Sequence, residues 1–537
     1  MKPMKGKKRF YIERRPVFVF GMICFMIAAL MLRLAFLQTG ADSAVRTGTD
    51  EKRILIDVSR GYIYDRDMRP LVNTVKKNVA AVLINAQTRE LFAGLSQIGD
   101  ATAACVTMHT DAPVRETPFS LNIETLSRYG EDMLCTHIIG YVDASGRGVC
   151  GIEKSFDKLL QAASGSIYVK YAENAVGQPI AGEGISAENE GYGNPAGIAL
   201  TVDAGIQRIV QDALERSGIR RGAAVVLDVG SAEILAIASV PAYDVYDLAA
   251  SLKDEDLPFL NRALAAYPVG SVFKPFVAAA ALENGVPLPA DYVCTGSTAV
   301  GNETFRCYRA TPHGTLDIAG AVCRSCNCYF VDLGQTLGAQ PLTALADKCG
   351  FGREIRLTGD LIGAAGSLPD AGSIGAGELA NLCFGQGALT ASPLQLAAAY
   401  NTLASGGVFR APTLMNALID GNGDVYARYR NETAYRALKE NTCDIVNDCL
   451  LRNTLEGTGK NGASESFYAA GKTATAQTGR YDAYGKESLC TWFCGFFPYE
   501  APKYTVVVFN EDGTSAAEDC APVFRRISEE IYRQVGW

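Results

Sequence analysis

Past residue 38 this 537-residue chain is short of positive charge, carries no internal repeat, and has no second apolar run long enough to cross a bilayer. Each absence removes a class of function. The first 38 residues hold eight Lys and Arg against one acid, Glu13, a local +7 on a chain whose formal charge is −8, so the remainder carries −15. A field of that sign argues against nucleic acid and anionic lipid as partners of the remainder, and solubility alone is enough to account for it. The absence of a 20–50-residue period leaves no basis for a solenoid or propeller. No clean A-x-A follows the N-terminal apolar run, which argues against a cleaved leader.

What is present begins with that run. Val17–Leu37 has 21 residues interrupted only by Arg33, close enough to one end to snorkel, and it is predicted to be a retained transmembrane anchor. Its basic flank (Lys2, Lys5, Lys7, Lys8, Arg9, Arg14, Arg15) stays inside, so residues after about 38 are expected outside. About 500 residues beyond the anchor, in a chain 48% hydrophobic overall, exceed one compact core and suffice for two domains. The Gly-rich polar stretch Glu183–Gly197 reads as the boundary. After it, Leu200–Leu214 reads as a short strand, an Asp203 N-cap and an amphipathic helix. Gly222–Leu227 and Ile234–Ser239 read as a hairpin around Asp228-Val-Gly-Ser. Cys490–Phe497 and Lys503–Phe509 repeat the strand pattern, and a last helix is expected over about Pro522–Val535. Strands at both ends with helices between them predict an α/β sandwich, an antiparallel sheet covered by helices.

Three short stretches carry the chemistry: Ser271-Val-Phe-Lys274, Ser325-Cys326-Asn327 and Lys472-Thr473-Ala474. A serine and a lysine at i and i+3 share a helical face, which puts an amine beside a hydroxyl as base beside nucleophile. Pro268–Gly285 reads as a turn, a helix start at Ser271, an alanine-rich helix with Pro275 near its first turn, and a glycine stop. A lysine acting as base must be neutral part of the time, through burial or a cationic neighbour, and Lys472 is the candidate neighbour. Taken singly, S-x-x-K reads as an N-cap with a solvated charge, and S-C-N as a plain helix cap. Their combination and order make them a site.

S-x-x-K, S-x-N and K-T-G in this order are the signature of serine β-lactamases and penicillin-binding proteins. The likeness extends to Leu260–Leu264, Gly350-Phe351, Phe384–Gly387, Ser392–Ala397 and Trp492–Pro498, and upstream to Arg60–Arg66, His137–Tyr141 and Gly151–Asp157. From about Arg60 to its end the chain resembles the class B penicillin-binding proteins. The resemblance implies a cytoplasmic tail (1–16), an anchor (17–37), a mixed α+β pedestal or dimerisation-like domain (45–190) and a transpeptidase domain (197–537). It implies a peptidoglycan D,D-transpeptidase in which Ser271 forms an acyl-enzyme and Lys274 is its base. Ser325 relays the proton, and Asn327 holds the substrate amide and orients Lys274. Lys472, Thr473 and Thr475 meet the terminal carboxylate, and the backbone N–H groups of Ser271 and Thr475 form the oxyanion hole. The implied partners are stem peptides ending in D-Ala-D-Ala, β-lactams that trap Ser271, the membrane, and a SEDS-type glycosyltransferase, since no polymerising domain is expected before the pedestal. No cofactor and no metal is required by this scheme, and Asp228 and Glu153 are assigned structural duty.

Ala474 departs from the family's usual glycine and puts a methyl where backbone and substrate approach closely. Alternatives to the transpeptidase are a catalytically impaired scaffold of a cell-wall synthase complex, in which Ala474 marks a decayed site, and a serine β-lactamase, which shares the three motifs. The pedestal stretch from about Val75 to Thr125 matches nothing recognised. Sixteen cysteines are many for an exported chain, and Cys24 lies in the anchor, leaving an odd fifteen. Cys294 and Cys307 are placed to close a loop, and Cys323, Cys326 and Cys328 crowd the second motif. Zinc is disfavoured because no matching second ligand cluster is visible in the sequence, and His313 is left out of the site.

Overall fold

The computed structural model describes residues 9–46, 50–84, 88, 104–174, 177–180, 182–309, 311–430, 433–481 and 484–536. Helix Arg9–Arg46 contains Pro16–Ala35, the one stretch among the described residues long and apolar enough to cross a membrane, and none of it is buried. This is consistent with a membrane protein.

The chain forms two compact units whose segments alternate along the sequence. The smaller comprises Met1–Ser59, Lys76–Leu126 and Gly165–Tyr192, and the larger Arg60–Val75, Ser127–Ser164 and Gly193–Trp537. The continuous pedestal read over 45–190 is thus divided between the two. A buried charge cluster shows why 60–75 and 127–164 stay together. The Glu153 carboxylate, fully buried, accepts from Arg60 Nε at 2.8 Å, from Arg128 Nε at 2.7 Å and from the Tyr129 hydroxyl at 3.0 Å. A buried carboxylate is tolerated only with such partners, so three distant segments must meet. Asp65 accepts from the backbone N–H groups of Asp67 and Arg69, and Arg66 pairs with Glu233 at 3.3 Å.

In the smaller unit, Asp50–Ser59, Gly165–Glu173 and Ile185–Glu190 form one antiparallel sheet. Cys105–Thr110, Val75–Leu83 and Ser120–Ser127 form a second sheet in that order, which places the described parts of the stretch 75–125 in strands; residues 85–87 and 89–103 lie outside the described residues. Ala81, Leu83, Ile123, Ile167 and Val169 share one small core.

The larger unit is the expected sandwich. Its sheet contains β1 (Gly222–Asp228), β2 (Ile234–Val240), β3 (Ala470–Tyr481), β4 (Glu487–Phe497) and β5 (Tyr504–Gly513), in the spatial order β2-β1-β5-β4-β3 and antiparallel throughout. Alternate side chains point to opposite faces of a strand. Ala224 and Val226 pack with Val506 against helices α1 (Ala204–Glu215) and the C-terminal Ala521–Val535. Ala223, Val225 and Leu227 join the opposite core with Phe276 and Tyr400. Asp203 caps α1 as expected, accepting from the N–H groups of Gly205 and Ile206. Neither face of the sheet's centre is left to solvent, and β3 occupies one edge, where a strand can accept an extended peptide.

Candidate active site

Ser271 sits in a single 3-10 turn, Gly270–Phe273, which leads directly into α2 (Lys274–Glu283) with Pro275 in its first turn. The turn is held from three sides. Trp492 Nε1 on β4 donates to Pro268 O at 2.9 Å, and Gly270 N donates to Gly385 O at 2.8 Å. The Tyr400 hydroxyl, from helix α4 (Pro393–Ala404), donates to Val272 O at 2.9 Å. Gly385 has φ +76° and lies so close that a Cβ there would fall 1.9 Å from Gly270 O. This gives Phe384–Gly387 a physical role, since only glycine permits that approach.

Lys274 is fully buried. Its Nζ lies 3.0 Å from Ser271 Oγ, 3.0 Å from Ser325 Oγ, 2.8 Å from Ser325 O and 2.7 Å from Asn327 Oδ1. Burial pulls its amine down to about 7, so much of it is neutral near physiological pH. The four contacts then sort themselves. A carbonyl oxygen and an amide oxygen only accept, so the two N–H bonds of a neutral amine go to Ser325 O and Asn327 Oδ1, and its lone pair faces the hydroxyls of Ser271 and Ser325. Burial, rather than a charge on Lys472, is what depresses Lys274. Lys472 is itself buried and pushed well below its ordinary range, first by burial and then by repulsion from Lys274.

Ser325 precedes helix α3 (Asn327–Leu337), with Cys326 as N-cap. It adopts φ +51°, a left-handed conformation that costs a serine about 1–3 kcal/mol. Asn327 is held at both ends, its Oδ1 on Lys274 and its Nδ2 donating to Arg306 O at 3.0 Å.

Lys472, Thr473 and Ala474 lie on edge strand β3, paired with Cys494, Phe493 and Trp492. Lys472 Nζ donates to Thr458 Oγ1 at 3.3 Å and to Thr473 O at 3.0 Å, and among the described residues no hydrogen bond joins it to Ser325. Thr473 Oγ1 donates to Thr458 Oγ1 at 2.7 Å, and Thr458 donates onward to the buried Asn453 Oδ1 at 3.1 Å. Thr458 is a member of the constellation that the sequence did not disclose. It sits in Gly457-Thr458-Gly459, a pattern that reads only as a loop. Thr475 is exposed beside Ala474. The Ala474 methyl is 2% exposed, and a Cβ built on Gly270 would come within 3.4 Å of it. A Cβ at 270 would press harder on Ala476, at 3.1 Å, so the bare glycine makes room for both alanine methyls on this face of β3.

Ser271, Ser325, Asn327, Thr458, Thr473, Ala474 and Thr475 line one cleft of about 1260 Å³, whereas the fully buried Lys274 and Lys472 lie behind its wall. A second cavity of about 380 Å³, around His137 and Gln211, holds none of the three motifs. His313 also reaches the cleft wall, and the three cysteines near the second motif part ways there. Cys323 lines the cleft, while Cys328 turns toward Cys307.

A fold of this topology, with a serine, two buried lysines and an edge strand around one cleft, defines a protein of the penicillin-interacting class. Residues 222–529 match the family described as penicillin binding protein transpeptidase domain. The chain belongs to that family, as a class B penicillin-binding protein. It is 28% identical over 432 residues to Stage V sporulation protein D of Bacillus subtilis, covering 77% of this chain and 65% of that protein. It is 24% identical over 618 residues to the peptidoglycan D,D-transpeptidase MrdA of Acinetobacter baumannii, covering 98% and 88%. The chain thus spans slightly less than two thirds of the sporulation protein's length. Among solved structures, one described as structural coordination of polymerization and crosslinking by a peptidoglycan synthase complex has a chain that aligns with TM-score 0.70 at 23% identity, covering 96% of this chain and 98% of that one. The D,D-transpeptidase domain of a peptidoglycan glycosyltransferase from Eggerthella lenta aligns with TM-score 0.64 at 24% identity, covering 89% and 99%. Likeness at that identity establishes the fold.

Proposed function

We propose that this protein is a peptidoglycan D,D-transpeptidase acting through a Ser271 acyl-enzyme. The observation that carries the reading is the buried amine of Lys274, 3.0 Å from Ser271 Oγ with both of its N–H bonds committed elsewhere. In the first step Ser271 Oγ attacks the carbonyl carbon of the penultimate D-Ala of a stem peptide and gives its proton to Lys274. The oxyanion is met by the backbone N–H groups of Ser271 and Thr475. The proton passes from Lys274 through Ser325 Oγ, 3.0 Å away, to the departing nitrogen, and free D-Ala leaves. In the second step an amine of a neighbouring stem attacks the ester, its proton returns by the same route, and Ser271 is regenerated with a cross-link formed. Lys472, Thr473 and Thr475 would hold the terminal carboxylate, whose negative charge would favour the protonated form of Lys472 and accept from the two hydroxyls. In the present arrangement the Thr473 hydroxyl is turned to Thr458, so substrate would take over that bond.

The same reading places Pro16–Ala35 as a single-pass anchor, the residues after about 38 outside the cytoplasm, and a SEDS-type membrane glycosyltransferase as the source of glycan strands. β-Lactams would acylate Ser271 as analogues of D-Ala-D-Ala. Fluorescent-penicillin labelling of the purified protein is the test. Labelling lost in Ser271→Ala supports the reading, and absence of labelling in folded wild type refutes it.

A further inference from the structure

Beside the cleft, the Sγ atoms of Cys294, Cys307 and Cys326 and the imidazole of His313 converge so that one ligand atom from each lies within 4.8 Å of every other. Cys294 and Cys307 are 3.7 Å apart, Cys307 and Cys326 3.7 Å, and Cys294 Sγ and His313 Nδ1 3.5 Å. A disulfide would bring two sulfurs to about 2.05 Å. A tetrahedral zinc, with Zn–S of about 2.3 Å and Zn–N of about 2.0 Å, holds sulfurs about 3.8 Å apart and sulfur and nitrogen about 3.5 Å apart. The three spacings given match those of a coordinated set, and the remaining pairs stay within 4.8 Å. The second cluster missing from the sequence is supplied by folding: Cys294, Cys307 and His313 come from one excursion, and Cys326 from the loop of the second motif.

That excursion needs such a centre. Between Asp291 and Thr315 only Cys294, Phe305 and Cys307 are buried among the described residues, and the strands there are three or four residues long. Two of the three buried side chains are thus ligands, so the segment has almost no apolar core of its own, the situation in which small folds are organised by a structural metal. Three thiols and an imidazole suit zinc, which has no redox chemistry and takes S₃N sites readily.

We propose that Cys294, Cys307, Cys326 and His313 bind a structural zinc ion that clamps the Ser325–Asn327 loop in its catalytic geometry. On binding, the three thiols release their protons and coordinate as thiolates. Cys326 lies between the two residues that hold Lys274, and Arg306, whose carbonyl receives Asn327 Nδ2, is adjacent to Cys307. The metal would therefore fix both ends of Asn327 and hold Ser325 in its left-handed conformation. The site itself stands apart from the transpeptidase reading, and only its effect on acylation rests on that reading.

The experiment is elemental analysis of the full chain in detergent, followed by stripping with a strong chelator and titration with zinc and cobalt(II). One zinc ion per chain, and tetrahedral thiolate bands with cobalt(II), are expected in wild type and in Ser271→Ala, and neither in Cys307→Ser or His313→Ala. Cys449→Ser, on a helix outside the cluster, should keep the metal. Stripping should slow penicillin acylation by about ten- to a hundredfold, with recovery on zinc return. Folded protein without stoichiometric zinc and without the cobalt spectrum overturns the site. Metal loss that leaves acylation unchanged overturns the clamp. Zinc bound by a wild type that never labels would instead refute the transpeptidase reading and leave the site standing.

Discussion

Asn327 offers the sharpest test of how Lys274 is aimed. In Asn327→Ala the amine loses the acceptor at 2.7 Å, and Arg306 O loses its donor at 3.0 Å. Leaving a buried donor without its acceptor costs about 1–3 kcal/mol, and about 1.4 kcal/mol is tenfold in rate, so acylation should slow by roughly five- to a hundredfold. Asn327→Asp separates aiming from protonation. The carboxylate keeps an acceptor beside Nζ but stabilises the ammonium, so the Lys274 pKa rises. On the proposed assignment the base is the neutral amine, which burial brings down to about 7, so wild-type acylation should climb as pH rises through that value. In Asn327→Asp the same climb should begin at higher pH. The assay is the second-order rate of fluorescent-penicillin labelling over about pH 5.5 to 9, bracketing that pKa, with thermal unfolding measured alongside. A wild-type profile flat over that range, or an Asn327→Asp profile that does not move, would refute the assignment of Lys274 as base.

Other substitutions bear on the surrounding framework. Ala474→Gly should leave the labelling rate within about threefold of wild type, because the methyl packs toward Gly270, and should lower stability by about 1 kcal/mol in a denaturant titration through added chain freedom; a large gain in rate would show that the methyl obstructs substrate. Tyr400→Phe strips the donor from the buried Val272 carbonyl and should cost about 1–3 kcal/mol together with slower labelling, whereas an unchanged rate would mean the Ser271 turn does not depend on that bond. Glu153→Gln leaves Arg60 and Arg128 around a neutral amide and should destabilise the larger unit by about 3–5 kcal/mol in the same titration; a loss below about 1 kcal/mol would show that water takes up the charge.

Where neighbours in the chain are neighbours in space, the sequence alone was sufficient. The Asp203 cap, the hairpin at 222–240, the terminal helix and the i, i+3 pair Ser271/Lys274 follow from periodicities of 2 and 3.6 and from capping chemistry. The order of the three motifs is enough to point to the family, and Ala474 stands out within them as a departure. What folding alone decided are the meetings between distant segments. Strand order β2-β1-β5-β4-β3 joins the two ends of the domain and leaves β3 at an edge. Thr458 reaches Lys472 and Thr473, Gly385 abuts Gly270, and Tyr400 reaches Val272. Glu153 draws 60–75 and 127–164 into the larger unit, and His313 joins three cysteines. No local pattern encodes these contacts, because a buried carboxylate, a glycine pressed on a carbonyl or a thiol facing a thiol acquires its energetic meaning only from groups that the completed fold places against it.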